Sequence, residues 1–127
     1  MRELVYHRQL LPTVERYADR EAFIDGEYRA TFAEHLDRVG RLAGALRALG
    51  VGAEDRFAVM ALNSHQYLEC YHAAFLGAGV INPLNLRLAP RELEYILADS
   101  GTKVCVTDAF FAPMIEQVRA AAGIEHV

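Results

Sequence analysis

The sequence predicts an α/β domain of three layers around a mainly parallel sheet, and three observations carry that prediction. Apolar runs of strand length alternate with amphipathic runs of helix length from Asp55 to the end of the chain, the order that crossover units impose on a parallel sheet. The run Phe57-Ala58-Val59-Met60-Ala61-Leu62 is continuously apolar, as a strand covered on both faces must be. Helix boundaries are marked by side chains that satisfy terminal amides, above all Thr31 with Glu34, and by glycines after the last apolar position.

In chain order, Leu4, Leu11, Val14 and Tyr17 predict a helix within residues 2–17, with Pro12 near its start, where a missing amide is harmless. Ala22-Phe23-Ile24 and Tyr28-Arg29-Ala30 flank Asp25-Gly26, a hairpin signal. Thr31-Phe32-Ala33-Glu34 reads as a capping box, and Phe32, Leu36, Val39, Leu42, Ala43, Leu46 and Leu49 recur at helical spacing up to Gly50. After the first core strand, Asn63-Ser64-His65-Gln66 caps a helix through Tyr67, Leu68, Tyr71, Phe75 and Leu76, closed by Gly77-Ala78-Gly79. Val80-Ile81 forms the next strand. Pro90 opens a helix carrying Leu93, Ile96 and Leu97, although Ala89 is a poor cap before it. Lys103-Val104-Cys105-Val106-Thr107 is a third strand, and Asp108 is expected to cap a last helix through Met114, Ile115 and Val118 to Gly123. A further strand is expected to begin at Glu125-His126-Val127.

Length and composition narrow the classes. The 127 residues suit one domain, and 53% hydrophobic against 24% charged residues is too apolar for a disordered chain. The net charge of -4, with its thirteen basic residues scattered, argues against nucleic-acid binding, which leaves a basic footprint. The N-terminus is broken by charges every few residues and lacks the apolar stretch of a secretory signal. No apolar run reaches the roughly 20 residues that span a bilayer. Cys70 and Cys105 each sit in an apolar stretch, as buried thiols of a reducing cytoplasm do.

Four constellations were weighed for chemistry. His65, Glu69 and His72 lie on one helical face at spacings of four and three and could offer two imidazoles and a carboxylate to a metal; the simpler reading is polar helix surface. Gly77-Ala78-Gly79 follows a helix and precedes a strand, the reverse of a dinucleotide-binding turn, and reads as a helix stop. Asp99-Ser100 is a polar exit from a helix rather than half of a catalytic pair. Arg87 stands between Leu86 and Leu88 in the loop Asn82-Pro83-Leu84-Asn85, either pinning that loop through a salt bridge or meeting an anion with its guanidinium fork. The sequence holds no Gly-x-x-x-x-Gly-Lys-Ser/Thr loop, no Gly-x-Ser-x-Gly elbow and no Cys-x-x-Cys pair.

Taken together, the segments resemble the N-terminal region of acyl-CoA synthetases of the adenylate-forming superfamily. The resemblance rests on Thr31-Phe32-Ala33-Glu34 with Leu42-Ala43 and Leu46; on Gly50-Val51-Gly52 and Asp55-Arg56-Phe57-Ala58-Val59; on Asn63-Ser64; on Gly77-Ala78-Gly79-Val80; on Asn82-Pro83-Leu84-Asn85-Leu86-Arg87-Leu88; and on Glu92-Leu93, Tyr95-Ile96-Leu97 and Asp99-Ser100. It runs from about Leu11 to Thr107. His65-Gln66 and Ala89 depart from the usual residues, at helix starts only.

The resemblance implies the N-terminal subdomain of the synthetase fold, residues 1–127 being one domain and part of a larger AMP-binding domain that is cut short. It implies a parent enzyme that activates a carboxylic acid, fatty or otherwise hydrophobic, with ATP and magnesium, and passes the acyl group from the adenylate to CoA. The Ser/Thr/Gly-rich phosphate loop and the lysines of that chemistry do not occur here. No catalytic or metal residue and no bound cofactor is therefore expected in this chain, which is expected to be inactive alone and to self-associate through uncovered apolar surface. Arg87, in the Asn85-Leu86-Arg87-Leu88 turn, is implied as a contact to a phosphate of CoA. Two other readings compete: a self-standing α/β binding or regulatory module without chemistry, and a flavodoxin-like protein, which would place acidic residues where Asn63 and Ser64 stand.

Overall fold

The computed structural model describes residues 6–127, the side chain of His7 excepted, so the expected contribution of Leu4 to the first helix lies outside the described residues. Five helices and five strands follow one another: α1 (Tyr6–Tyr17), β1 (Glu21–Asp25), β2 (Tyr28–Thr31), α2 (Phe32–Ala48), β3 (Arg56–Met60), α3 (His65–Phe75), β4 (Val80–Pro83), α4 (Pro90–Asp99), β5 (Val104–Thr107) and α5 (Ala112–Ala122). β1 and β2 form the predicted antiparallel hairpin, with Asp25 opposite Tyr28. The other three strands make a parallel sheet in the order β4-β3-β5.

β3 explains the layering. Successive side chains of a strand point to opposite faces, and here both faces are sealed. Phe57 and Val59 pack with Val39, Ala43 and Leu46 of α2 and Cys70 and Ala73 of α3. Ala58 and Met60 pack with Leu93 and Leu97 of α4 and Ile115 and Val118 of α5. The sheet is thus the middle of the three predicted layers, with α2 and α3 on one face and α4 and α5 on the other.

Local chemistry sets the helix ends. At α2 the Glu34 amide donates to Thr31 Oγ1 at 3.2 Å and the Thr31 amide donates to Glu34 Oε2 at 2.8 Å. This is the capping box read from the sequence, and the Thr31 amide holds the Glu34 carboxyl below its ordinary value. Ser64 caps α3 by accepting from the Tyr67 amide at 3.2 Å. Ala89 forms half a box: its amide donates to Glu92 Oε2 at 2.7 Å, with no side chain to return the bond. Gly123 ends α5 in the left-handed conformation at φ 75°.

Four boundaries differ from expectation. Pro12 lies in the middle of α1, not near its start, because Tyr6 before it is held by His72 of α3. β3 stops at Met60, whose partner Thr107 is the last residue of β5, so Ala61 and Leu62 leave the sheet. The Asp108 carboxylate receives the amides of Phe110 at 3.0 Å and Phe111 at 3.1 Å, capping the turn before α5 rather than its first turn. The strand expected at residues 125–127 is a single parallel bridge between His126 and Val104 on the outer edge of β5.

The glycine stop after α3 is a tight crossing. Gly79 has φ 92°, and an added Cβ would lie 2.6 Å from Val51 Cγ1 and 3.0 Å from the Asp55 carbonyl oxygen. Gly77, at φ 85°, has open space around it. Gly77→Ala should therefore cost about 1 kcal/mol, and Gly79→Ala clearly more, on the order of 3 kcal/mol, in urea unfolding. Equal losses would show that backbone conformation alone matters.

Candidate functional site

β3 leads through α3 to β4 on one side, whereas β5 lies on its other side and is followed by the His126 bridge on its outer edge. The connections leaving β3 and β5 thus diverge, and a crevice opens between the carboxyl ends of those strands, where open α/β sheets place their ligands. It is an open cleft of about 380 Å³. Val59, Ala61 and Leu62 form one wall, Val106, Thr107 and Asp108 the opposite one, and Ser64, Gln66, Tyr67 and Cys70 from the start of α3 the third side.

The rim is held by hydrogen bonds rather than offered for reaction. Asp108 Oδ2 accepts the Leu62 amide at 3.2 Å while Oδ1 takes the two amides of the next turn, so this carboxylate clasps the loops leaving β3 and β5. Thr107 Oγ1 donates to the Met60 carbonyl at 2.8 Å across the same gap. Burial pushes the Cys70 thiol up to about 11, which keeps it protonated and unreactive at neutral pH. Cys105, also buried and unpaired, is pushed up to about 12 by burial. The cleft is lined mainly by apolar side chains, and its carboxylate, Asp108, is engaged with three backbone amides.

Arg87 lies on the same edge of the sheet but outside the cleft. The loop after β4 alternates: Leu84 is buried and Leu86 and Leu88 pack against the α4–α5 core, while Asn85 and Arg87 are exposed. The Leu84 amide donates to the Val59 carbonyl at 2.9 Å, and Asn85 Oδ1 accepts the Arg87 amide at 3.0 Å, shaping the turn. Arg87 takes part in none of the ion pairs among the described residues, so the loop is set by its leucines and Asn85 and not by a salt bridge.

His65, Glu69 and His72 do not converge, and the expectation of a plain polar face is overturned for two of them. His65 sits at the start of α3, where its amide and Nδ1 each lie 2.9 Å from Asp25 Oδ2 and its ring stacks on Tyr28 at 3.7 Å. Asp25 thereby closes the exposed helix N-terminus, and the His65 amide holds its carboxyl below the ordinary value. Glu69 is only 5% exposed and receives Arg38 Nε at 2.6 Å and Nη2 at 3.1 Å. His72, 7% exposed, lies between His35 and Tyr6. No group of three His, Cys, Asp or Glu side chains among the described residues is arranged for a metal. Asp25, His35 and Arg38 went unsuspected, although His35 begins the buried stripe His35, Val39, Ala43, Leu46 of α2, a signal available at helical spacing. Ser100 is structural: its hydroxyl donates to the Leu97 carbonyl at 3.1 Å and pairs with Thr102 Oγ1 at 2.8 Å.

Known proteins share this framework. The model of the AMP-binding enzyme family matches residues 11–127. The long-chain-fatty-acid–CoA ligase of Thermus thermophilus is 41% identical over 92 residues, 72% of this chain and 17% of the ligase. The feruloyl-CoA synthase of an Amycolatopsis species is 46% identical over 76 residues, 60% of this chain and 16% of the synthase. The inhibitor-bound N-terminal domain of FACL13 from Mycobacterium tuberculosis superimposes with a TM-score of 0.85 at 30% identity, covering 94% of this chain and 31% of that one. The chain thus spans less than a fifth of the length of these curated relatives. Since the family match takes in the whole three-layer sheet, the cleft and the Arg87 turn, the chain belongs to the AMP-binding enzyme family.

Proposed function

We propose that this chain is part of an acyl-CoA synthetase in which a carboxylate attacks the α-phosphorus of ATP, releasing pyrophosphate, and the CoA thiol then takes the acyl group from the adenylate, releasing AMP. The observation that carries the reading is the family match over residues 11–127, with acid–CoA ligases among the relatives. The acid is proposed to be hydrophobic, a long-chain fatty acid or an aryl acid, as the activities of the relatives suggest. The proposed place of action is the cytoplasm.

Within that reaction this chain supplies framework. Asp108 is the carboxylate of the cleft, and its oxygens already accept three backbone amides. Such a group does not suit magnesium, and the cleft has no basic side chain for the phosphates of ATP. ATP and magnesium are accordingly assigned to the remainder of the polypeptide. The chain alone should show no acid-dependent exchange of pyrophosphate into ATP, and ATP should not raise its melting temperature. Exchange above a protein-free blank would place catalytic groups within these residues.

Exposed apolar side chains stand on the cleft edge, Leu62 beside the rim and Phe110 80% exposed after it. With the apolar walls of the open cleft, they are proposed as surface that a partner covers. The isolated chain should self-associate, seen as a mass above 14.2 kDa in light scattering at high concentration. A clean monomer that binds no hydrophobic dye would count against an uncovered interface.

Arg87 is proposed to meet a phosphate of CoA. Its guanidinium is exposed, unpaired among the described residues, and presented by a turn that its own neighbours fix. In the complete enzyme, Arg87→Ala should weaken the use of CoA roughly tenfold while leaving adenylate formation almost unchanged, since one charge-assisted, partly solvated contact is worth about 1.4 kcal/mol. Equal loss of both half-reactions would make Arg87 structural.

A further inference from the structure

The polar feature that the proposed chemistry leaves unused is a pair of buried imidazoles between helices. His35 of α2 is 3% exposed, and its Nε2 lies 2.6 Å from Nδ1 of His72 on α3. Nε2 of His72 lies 2.6 Å from the Tyr6 hydroxyl of α1. One hydrogen-bonded run thus joins three helices. Phe23 of β1 packs on His35 at 4.2 Å between ring centres, and Phe75 packs on Tyr6 at 4.7 Å.

Two neutral imidazoles carry one N–H each, so the run is satisfied with every bond pointing the same way. An added proton would put a charge in this apolar pocket with no free carboxylate to balance it. From α3 the facing carboxylate is Glu69, already taken in a two-pronged bond by Arg38 of α2. His65 of α3, also within electrostatic reach, is engaged with Asp25. Among the described contacts, α1 brings the neutral Tyr6 and β1 brings Phe23, the Asp25 carboxylate of β1 being held at His65. Burial accordingly pushes both imidazoles down, His35 to about 4, with His72 and Arg38 adding to the effect and Glu69 opposing it.

α1 is the cover most easily lifted. Pro12 has no amide to continue the helical ladder. Beyond it, Val14 is buried, and the Ala18 and Arg20 carbonyls accept the Ala33 and Phe32 amides at 3.0 Å each, tying that end of the segment to α2. Before it, Tyr6 is partly exposed and bonds to His72.

We propose that Tyr6, His72 and His35 form a proton-operated latch: uptake of a proton by the imidazole pair in mildly acidic medium frees the first turns of α1 from α2 and α3, with Pro12 as the hinge. The sign follows from linkage. Burial holds both rings below their ordinary value while α1 covers His72, so the latch is fully closed above about 6.5 and weakens as the pH falls below it. The inference is independent of the synthetase reading.

Hydrogen exchange of the 127-residue chain, corrected for intrinsic rates, tests it. Between pH 7 and pH 4.5 the opening constant of the α1 amides before Pro12 should rise at least severalfold, while β3 and β5 keep their protection. His35→Gln, which retains a hydrogen-bonding group near the position of Nε2, should remove most of that pH dependence. Tyr6→Phe should raise the opening constant of α1 severalfold already at pH 7, as loss of one hydrogen bond does. In the native chain, NMR should show His35 and His72 titrating below the ordinary histidine value. Unchanged protection of α1 at pH 4.5, loosening of the whole sheet together with α1, a wild-type pH response in His35→Gln, or ordinary titration of both rings would each overturn the latch.

Discussion

The constraint on which the rest of the structure depends is that β3 must be covered on both faces. Phe57, Ala58, Val59 and Met60 are all essentially without solvent contact, and each large side chain so buried contributes about 1.5 to 3 kcal/mol. No single helical layer can do this, because adjacent strand residues point in opposite directions. α2 and α3 must cover one face and α4 and α5 the other. The strand order then follows, since β4 and β5 flank β3 and leave its carboxyl end between two diverging loops. The cleft at that end is a geometric result of covering β3.

The two helical layers are joined to the rest by different forces. The α4–α5 side is almost wholly apolar: Leu93, Leu97, Ile115 and Val118 against Ala58, Met60 and Cys105. The α2–α3 side has an apolar floor against the sheet and a polar seam above it. Arg38 with Glu69, His35 with His72, Asp25 with His65, and Tyr6 with His72 tie α2, α3, the hairpin and α1 together. These pairs bind elements that lack enough apolar area to hold by packing alone, and they are sensitive to charge. Removing one member of the Arg38–Glu69 pair would leave a nearly buried carboxylate unmatched, a change far costlier than losing a surface ion pair.

This division bears on function. The Arg87 turn is built on the apolar α4–α5 side through Leu84, Leu86 and Leu88, while the cleft beside it is walled by the ends of β3 and β5 and the start of α3. The titratable run lies on the opposite side of α3, against the N-terminal helix, where movement would leave the sheet intact.

The sequence by itself determined the elements whose causes are local or periodic. The Thr31–Glu34 box, the Asp25-Gly26 hairpin, the Ser64 cap and the unbroken apolar run of β3 each act within a few residues or by simple repetition. The family followed from their order. Tertiary structure alone decided what depends on residues far apart in the chain. His72 and Glu69 read as surface because their partners, His35 and Arg38, stand 37 and 31 residues earlier. Pro12 was read as a helix start because its neighbourhood does not reveal that Tyr6 is held from outside by His72. The cleft at the ends of β3 and β5 was beyond reach because it depends on strand order, which crossover connections set in space. A burial pattern is a local repeat and can be read along the chain, whereas the satisfaction of a buried polar group is a contact between distant segments and exists only once the chain has folded.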